Sequence, residues 1–280
     1  MTSRRAGPAG PTTPASFAAA LIAWCVILAV VFPIAWIALT SIKEPRDVYA
    51  LALAFTPTLD NFRTVFEHPW NLGDKLLNSI VVATVTVAVA VPVGTMAAYG
   101  FSRFSFPGKR LLFVLIIATQ FVPAAIVVLP YYLMFRELDL LDSYAGLVLV
   151  NLSIVLPYAV WMIKGFIDAV PIEMEESAVI DGASRLRALR EIVVPATLPG
   201  LITAALFCFT LTWNEFLFAL ILTKQKALTL PVGLISFHTE RGDLWELMAA
   251  AGVMITLPMF LLSLVFQKHF INSLTSGALR

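Results

Sequence analysis

Little in this 280-residue chain could make or break a covalent bond. His68, His238 and His269 stand far apart, and none pairs with cysteine or carboxylate at metal-ligand or nucleophile–base spacing. Cys25 and Cys208 lie inside apolar runs and read as ordinary apolar helix residues. The only Gly-Lys pair, Gly108-Lys109, has Arg103 where a phosphate loop needs its first glycine and Arg110 where it needs Ser or Thr, so the chain does not bind ATP by that route. What remains is polar residues in unusual company. Asn214 and Glu215 interrupt an apolar run, Gln120 interrupts another, and Glu173, Glu175 and Glu176 precede the turn signal Asp181-Gly182. Such residues can bind, dock and position.

The elements that hold them are set by composition. Hydrophobic residues make up 59% of the chain and charged ones 13%, with a mean hydropathy of +0.87. A soluble domain carries about 25% charge because its surface faces water. A net charge of +1 offers no basic excess for nucleic acid. Six apolar stretches can cross a bilayer core of about 30 Å, which takes about 20 helical residues. They are Phe17–Thr40, Ile80–Tyr99, Leu111–Phe135, Tyr144–Ile163, Leu201–Leu222 and Leu247–Phe266. Ile80–Tyr99 has strand-like Val/Thr alternation, but an open strand leaves backbone groups unsatisfied in lipid, so helix is expected throughout. Prolines at 33, 92, 123, 130, 157 and 258 read as kinks. The fold expected is all-α and polytopic, with six transmembrane helices over 17–268, a disordered stretch at 1–16 and a tail at 269–280. The first span is too long for a cleaved signal and reads as an anchor.

Orientation follows from short loops, where Lys and Arg prefer the cytoplasm. Arg103, Lys109 and Arg110 follow the second span without any acid, whereas Arg136 meets Glu137, Asp139 and Asp142 after the third. The first of these loops reads inside and the second outside, with both termini cytoplasmic. Trp70, Tyr131, Tyr132 and Trp245, near span ends, read as interface anchors.

The long inner loop 164–200 predicts two short helices with a tight elbow. Pro171 suits a first turn, acids at 173, 175 and 176 suit the positive end of the dipole, and Gly182 suits the stop. Ser184 can cap a second helix, Arg185–Val194. Ala178 and Gly182 share a face and would let another protein's backbone approach closely. An amphipathic helix lying on lipid is the alternative, but acids there are repelled by anionic headgroups.

The run Glu176-Ser177-Ala178, then Asp181-Gly182-Ala183, Ile192, Pro195 and Pro199, resembles the EAA loop of ABC importer permeases. With Asn78-Ser79, Ala97-Ala98-Tyr99, Arg103–Gly108, Leu138–Tyr144, Trp213–Leu217 and Leu274–Ala278, the chain from its first span onward is similar to the second permease subunit of maltose-type carbohydrate importers. Ser177 departs from the usual Ala but is still small. The resemblance implies that Glu173, Glu176, Ser177, Ala178, Asp181, Gly182 and Ala183 form a coupling helix seated in a cytoplasmic ATPase. It further implies that Ser276, Gly277 and Ala278 reach between two such ATPases. The chain itself would bind no cofactor and would not be an enzyme, with ATP and Mg held by the ATPases. Partners implied are a second, homologous permease, two ABC ATPases, an extracytoplasmic sugar-binding protein and the lipid of a bacterial inner membrane.

Glu215 and Asn214 lie roughly 20 Å from the inner end of their span at 1.5 Å per residue. A charge in hydrocarbon costs about 3 kcal/mol or more. The pair therefore either faces the pathway or a docking protein, or serves structure. Gln120 either lines the pathway or bonds across helices. An ion-gradient carrier is the other class of transporter to weigh. It would call for inverted repeats and several intramembrane ionisable residues, and the sequence offers one such residue.

Overall fold

The computed structural model describes residues 14–49, 54–240 and 242–278, with side chains over 17–49, 54–240 and 242–266. Among the described residues, five helices are long and apolar enough to cross a membrane, or six if one bent pair counts as a span.

In chain order, α1 (Pro14–Thr40) is apolar on all sides and leads to the short helices α2 (Pro45–Val48) and α3 (Asp60–Phe66). The buried Asn61 amide donates to the carbonyls of Ser41 and Lys43 at 2.9 and 2.8 Å, pinning α3 to the end of α1. The segment expected to be disordered, 1–16, lies outside the described residues except for Pro14–Ser16, whose backbone already belongs to α1.

Next, α4 (Leu72–Arg103) and α7 (Tyr144–Asp168) form the longest seam of the molecule. They run parallel, because Tyr144 meets Asn78 at one end, Gly94 meets Ala159 midway, and Ser102 meets Asp168 at the other. Buried positions recur every fourth residue: Val82, Thr86, Ala90, Gly94 and Ala98 on α4, and Leu147, Asn151, Val155, Ala159, Ile163 and Ile167 on α7. Small residues at this spacing let two backbones approach where lipid offers no hydrophobic drive. The approach is closest at Gly94, where an added Cβ would lie 2.9 Å from that of Ala159. Thr86 and Asn151, one step from the centre of the seam, each keep a buried oxygen without a partner among the described residues.

The third apolar stretch is not one straight span. The helix α5 (Lys109–Ala118) ends in a tight turn, Thr119–Phe121, and α6 (Ala124–Glu137) leaves at 96° to it. Pro123, with no N–H to give and a ring that disfavours helix in the residue before it, sits at the break.

After α7 come α8 (Ile172–Ile180) and α9 (Arg185–Ala188), then a widened turn at Leu189–Val193 that passes without interruption into α10 (Val194–Trp213). The second short helix is therefore the start of the fifth span and not a separate piece. Pro195 cannot donate to the preceding turn, and the wide turn absorbs that defect. Gly200 gives Phe166 its place, since a Cβ there would lie 2.2 Å from the ring. The expected span Leu201–Leu222 is itself broken: α10 stops at Trp213 and α11 (Leu217–Leu222) starts anew. A short α12 (Leu230–Gly233) and a small ribbon, β1 (His238–Thr239) with β2 (Gly242–Asp243), precede α13 (Trp245–Ala278). The chain treated as a tail from 269 onward continues α13 without interruption to Ala278.

Four buried clusters lie along this frame among the described residues, and two of them bear on the site. One joins α4, α7 and α10 through Ala98, Tyr99, Ile163, Leu189, Val193 and Cys208. The other joins α3, α4, α10 and α13 around Trp213, whose indole N–H donates to the Ile255 carbonyl at 3.1 Å. The outer surface of α1 and much of α5 and α13 is exposed Leu, Ile, Val and Phe, as a chain facing lipid or other membrane subunits requires.

Candidate functional site

The elbow between α8 and α9 follows from its sequence. Pro171 precedes the first turn of α8, and Glu173 and Glu175 stand in that turn beside the positive end of the helix dipole. The helix closes with Ala183 N–H donating to Ala178 O at 2.9 Å and Gly182 N–H to Val179 O at 3.1 Å. This pair of bonds requires a left-handed residue at Gly182, whose φ is +91°. Two residues later, Ser184 Oγ accepts from Arg187 N–H at 3.3 Å and starts α9.

The elbow has two faces. Glu175, Ala188, Leu189 and Val193 point into the molecule, and Ala178 and Ala183 are half-buried. Glu173, Met174, Glu176, Ser177, Asp181, Gly182 and Leu186 are exposed, and Ile180 is 85% exposed. The seven residues singled out as a docking set thus lie together, and an apolar fringe accompanies them. Their side chains make few bonds of their own; Ser177 Oγ only returns to the Glu173 carbonyl at 2.8 Å.

Inward, the structure shows a junction that sequence reasoning missed. Glu175 accepts from Arg103 Nε at 2.6 Å and from the Tyr99 hydroxyl at 2.9 Å. Both charged side chains are almost fully buried, 7% and 5% exposed. Arg103 also donates to the carbonyl of Ile167, in the last turn of α7, at 3.1 Å and to that of Val170, two residues past the helix end, at 2.9 Å. A second link runs from Ser102 Oγ to Asp168 at 2.5 Å, with Lys164 on the other carboxylate oxygen at 2.5 Å. On the far side, Arg185 lies over the Phe104 ring at 5.6 Å. The signal available was Tyr99 and Arg103, four apart on one helix face, together with three acids in one loop.

At the opposite end, Asp142 gathers a loop. Its carboxylate accepts backbone N–H groups from Lys224, Gln225, Lys226 and Ala227 at 3.0 to 3.2 Å. Its own N–H donates to Leu222 O at 2.8 Å. Burial raises the pKa of this carboxyl, but the four N–H donors outweigh that and hold it below the usual carboxylate range. Asn78 donates to Lys226 O and Leu228 O, Ser79 Oγ accepts from Leu230 N–H, and the Tyr144 hydroxyl bonds Asn78 at 2.6 Å. Two quoted motif stretches, Asn78-Ser79 and Leu138–Tyr144, therefore converge on one collar.

Glu215 sits where α10 breaks. Its carboxylate accepts from Phe218 N–H at 2.7 Å and Ala219 N–H at 3.0 Å, satisfying the first donors of α11. Asn214 is exposed and donates to Thr210 O. Gln120 lies in the tight turn between α5 and α6, on a cleft of about 740 Å³ that Pro123, Tyr131, Ser153 and Pro157 also line. The backbone of Ser276, Gly277 and Ala278 is the end of α13, and their side chains lie outside the described residues. No group of three or more His, Cys, Asp or Glu among the described residues could hold a metal ion.

The comparisons with known proteins agree with this layout. Residues 90–276 match the family described as binding-protein-dependent transport system inner membrane component. The trehalose transport system permease protein SugB of Mycobacterium tuberculosis is 35% identical over 89% of this chain and 92% of its own length. The trehalose/maltose transport system permease protein MalG of Thermococcus litoralis is 31% identical over 93% and 96%. The diacetylchitobiose uptake system permease protein DasC of Streptomyces coelicolor is 30% identical over 90% and 93%. Among solved structures, a bacterial ABC transporter involved in the import of the acidic polysaccharide alginate shares the fold, with a TM-score of 0.78 at 22% identity over 91% of this chain and 95% of its own. This chain therefore belongs to the binding-protein-dependent transport system inner membrane components and is a membrane permease subunit of an ABC importer, not an ion-gradient-driven carrier.

Proposed function

We propose that this chain is one of two homologous permease subunits of an ATP-driven carbohydrate importer and converts the closing of two cytoplasmic ATPases into alternating access. The observation that carries the reading is the elbow. Exposed Met174, Ile180 and Leu186 surround the small residues Ala178, Gly182 and Ala183, with Glu173, Glu176 and Asp181 between them. Exposed apolar side chains rimmed by charge mark a surface made to be covered. The acids disfavour an anionic leaflet as the cover and favour a protein cleft with basic residues. In this arrangement the elbow end is cytoplasmic, and Arg103, Lys109, Arg110, Arg185, Arg187 and Arg190 gather there. The collar end, with Asp139 and Asp142, then faces outward, where a sugar-binding protein delivers its load.

Mg-ATP is held by the partner ATPases. This chain supplies the α8 lever, the bent α5–α6 pair and the collar. Gln120 lines the pathway at the bend, and Asn214, exposed beside the α10 break, lines it or meets the binding protein. The end of α13, Ser276–Ala278, reaches toward the ATPases. Carbohydrate as the class of cargo is supported by the relatives, whose names specify trehalose, maltose and diacetylchitobiose. A solved alginate transporter of like fold is in complex with an alginate pentasaccharide-bound periplasmic protein, which supports delivery by a binding protein.

Docking is tested with Ile180→Asp and Gly182→Trp in the tagged complex. Ile180 is exposed, so Ile180→Asp leaves the chain's own packing alone. Gly182→Trp meets nothing within 4 Å but also strains the left-handed φ of +91°, so Ile180→Asp is the cleaner arm. Both variants should insert with the partner permease and lose the co-purifying ATPase. An ATPase retained at wild-type stoichiometry in both would remove the coupling role.

A further inference from the structure

The junction behind the elbow serves neither docking nor cargo, yet it places two opposite charges where little of either side chain is exposed. Arg103 uses four hydrogen bonds there: Nε to Glu175, Nη1 to Ser102, and Nη2 to the carbonyls of Ile167 and Val170. Those acceptors belong to the first turn of α8, the last turn of α4, the last turn of α7 and the short link that joins α7 to α8. Tyr99, on the same face of α4 one turn earlier, takes the second oxygen of Glu175. A forked guanidinium meets several acceptors in fixed geometry, which a lysine cannot do. A buried pair of this kind gives little net stability over an apolar replacement, so its value lies in fixing one arrangement of the elements it joins.

Resting on the coupling role proposed above, we infer that Arg103 is a positioning residue that clamps α8, through Glu175, to the α4–α7 pair, so that the coupling helix and this pair move as one lever. Without the clamp, the segment Ala169–Pro171 is the covalent tether of α8 to α7, and on its other side the Gly182 turn joins α8 to α9. Motion imposed on α8 would then be taken up by the elbow before reaching the seam. With the clamp, displacement of α8 is displacement of α4 and α7 together, and their parallel, small-residue seam carries it toward the collar.

The test is a distance within the assembled importer, in the nucleotide-free state and trapped with Mg-ATP and vanadate. Spin labels are placed at Ile172→Cys on α8 and Met96→Cys on α4, both exposed and outside the docking set. Cys25→Ser removes the exposed native thiol, and Cys208 is buried. In the otherwise unchanged complex one narrow distance should persist in both states. With Glu175→Gln it should shift on trapping, and Arg103→Lys, which keeps the charge but not the fork, should fall between. Arg103→Lys also carries the test if Glu175→Gln fails to assemble. A distance that changes on trapping without the clamp mutations overturns the inference, as does one unmoved in both clamp variants. Failure of the unmutated complex to contain an ATPase is a different result, and it removes the coupling reading itself.

Discussion

The two ends of the α4–α7 seam solve the same problem with different chemistry. At the elbow, Glu175 is held by another side chain's charge, deep inside and across a sequence separation of 72 residues. At the collar, Asp142 is held by the backbone N–H groups of a single loop and stays partly exposed. A charge pair between separate helices fixes their relative placement while leaving each helix intact. A carboxylate bound to successive N–H groups fixes the shape of one loop. The comparison separates a joint from a frame: the elbow end is built to transmit displacement, and the collar end to hold a mouth in shape.

The largest effect should come from opening the joint. Removing one partner of a buried ion pair leaves the other charge uncompensated, which costs about 3–5 kcal/mol. Glu175→Ala or Arg103→Ala should therefore lower the unfolding midpoint of the purified permease pair more than any single change at the collar. Equal losses from Asp142→Ala and Glu175→Ala would erase the distinction. Asp142→Ala should itself cost about 1–2 kcal/mol, because several N–H groups lose an acceptor but the half-exposed loop lets water replace it. Limited proteolysis would localise that change: cleavage near 223–229 should increase while the elbow keeps its protection.

Acid titration sharpens the contrast. The Asp142 carboxyl is depressed in the folded state, since its N–H donors outweigh the effect of burial. A group of this kind stabilises the fold fully above its unfolded pKa, and the contribution is lost as pH falls through the lower folded value. The collar should hold at neutral pH and loosen only below the usual carboxylate pKa of 3.8. Asp142→Asn should remove that part of the acid dependence. Hydrogen exchange at Lys224–Ala227 reads it directly, and protection that is insensitive to this change would show that the carboxylate does not hold the loop.

What the sequence made legible divides along the same line. Apolar length identified α1, α4, α7 and α13 as membrane-crossing elements, because hydrocarbon thickness constrains each helix separately. The elbow was legible too, since Pro171, Gly182 and Ser184 act within a few residues of themselves. The bend at Pro123 and the restart at Leu217 are not legible: the sequence presents each stretch as one continuous span, with Pro123 only a kink. A proline announces a kink, but the 96° turn depends on what α6 packs against, namely Phe218 and Leu222 of α11. Arg103 marks sidedness and belongs to a family stretch in the sequence, but neither names its partner. Its partner lies in another helix, and only the parallel register of α4 with α7 brings the two together.

Glu215 offers the smallest and most discriminating change. An acid inside an apolar run looked like a pathway or docking residue, or a structural one, and the structure gives its carboxylate to the first N–H groups of α11. If capping is its whole role, Glu215→Ala should cost about 0.5–2 kcal/mol, as other capping losses do. Glu215→Gln keeps one acceptor oxygen and sheds the cost of a charge in an apolar setting, so it should stay within about 1 kcal/mol of the parent. Uptake in proteoliposomes, normalised to the amount of assembled importer, should then follow stability in both variants. Uptake abolished by Glu215→Gln in a fully stable complex would show that the negative charge itself meets cargo or a partner. The α10 break would then belong to the pathway, and the frame at the collar would extend into the membrane.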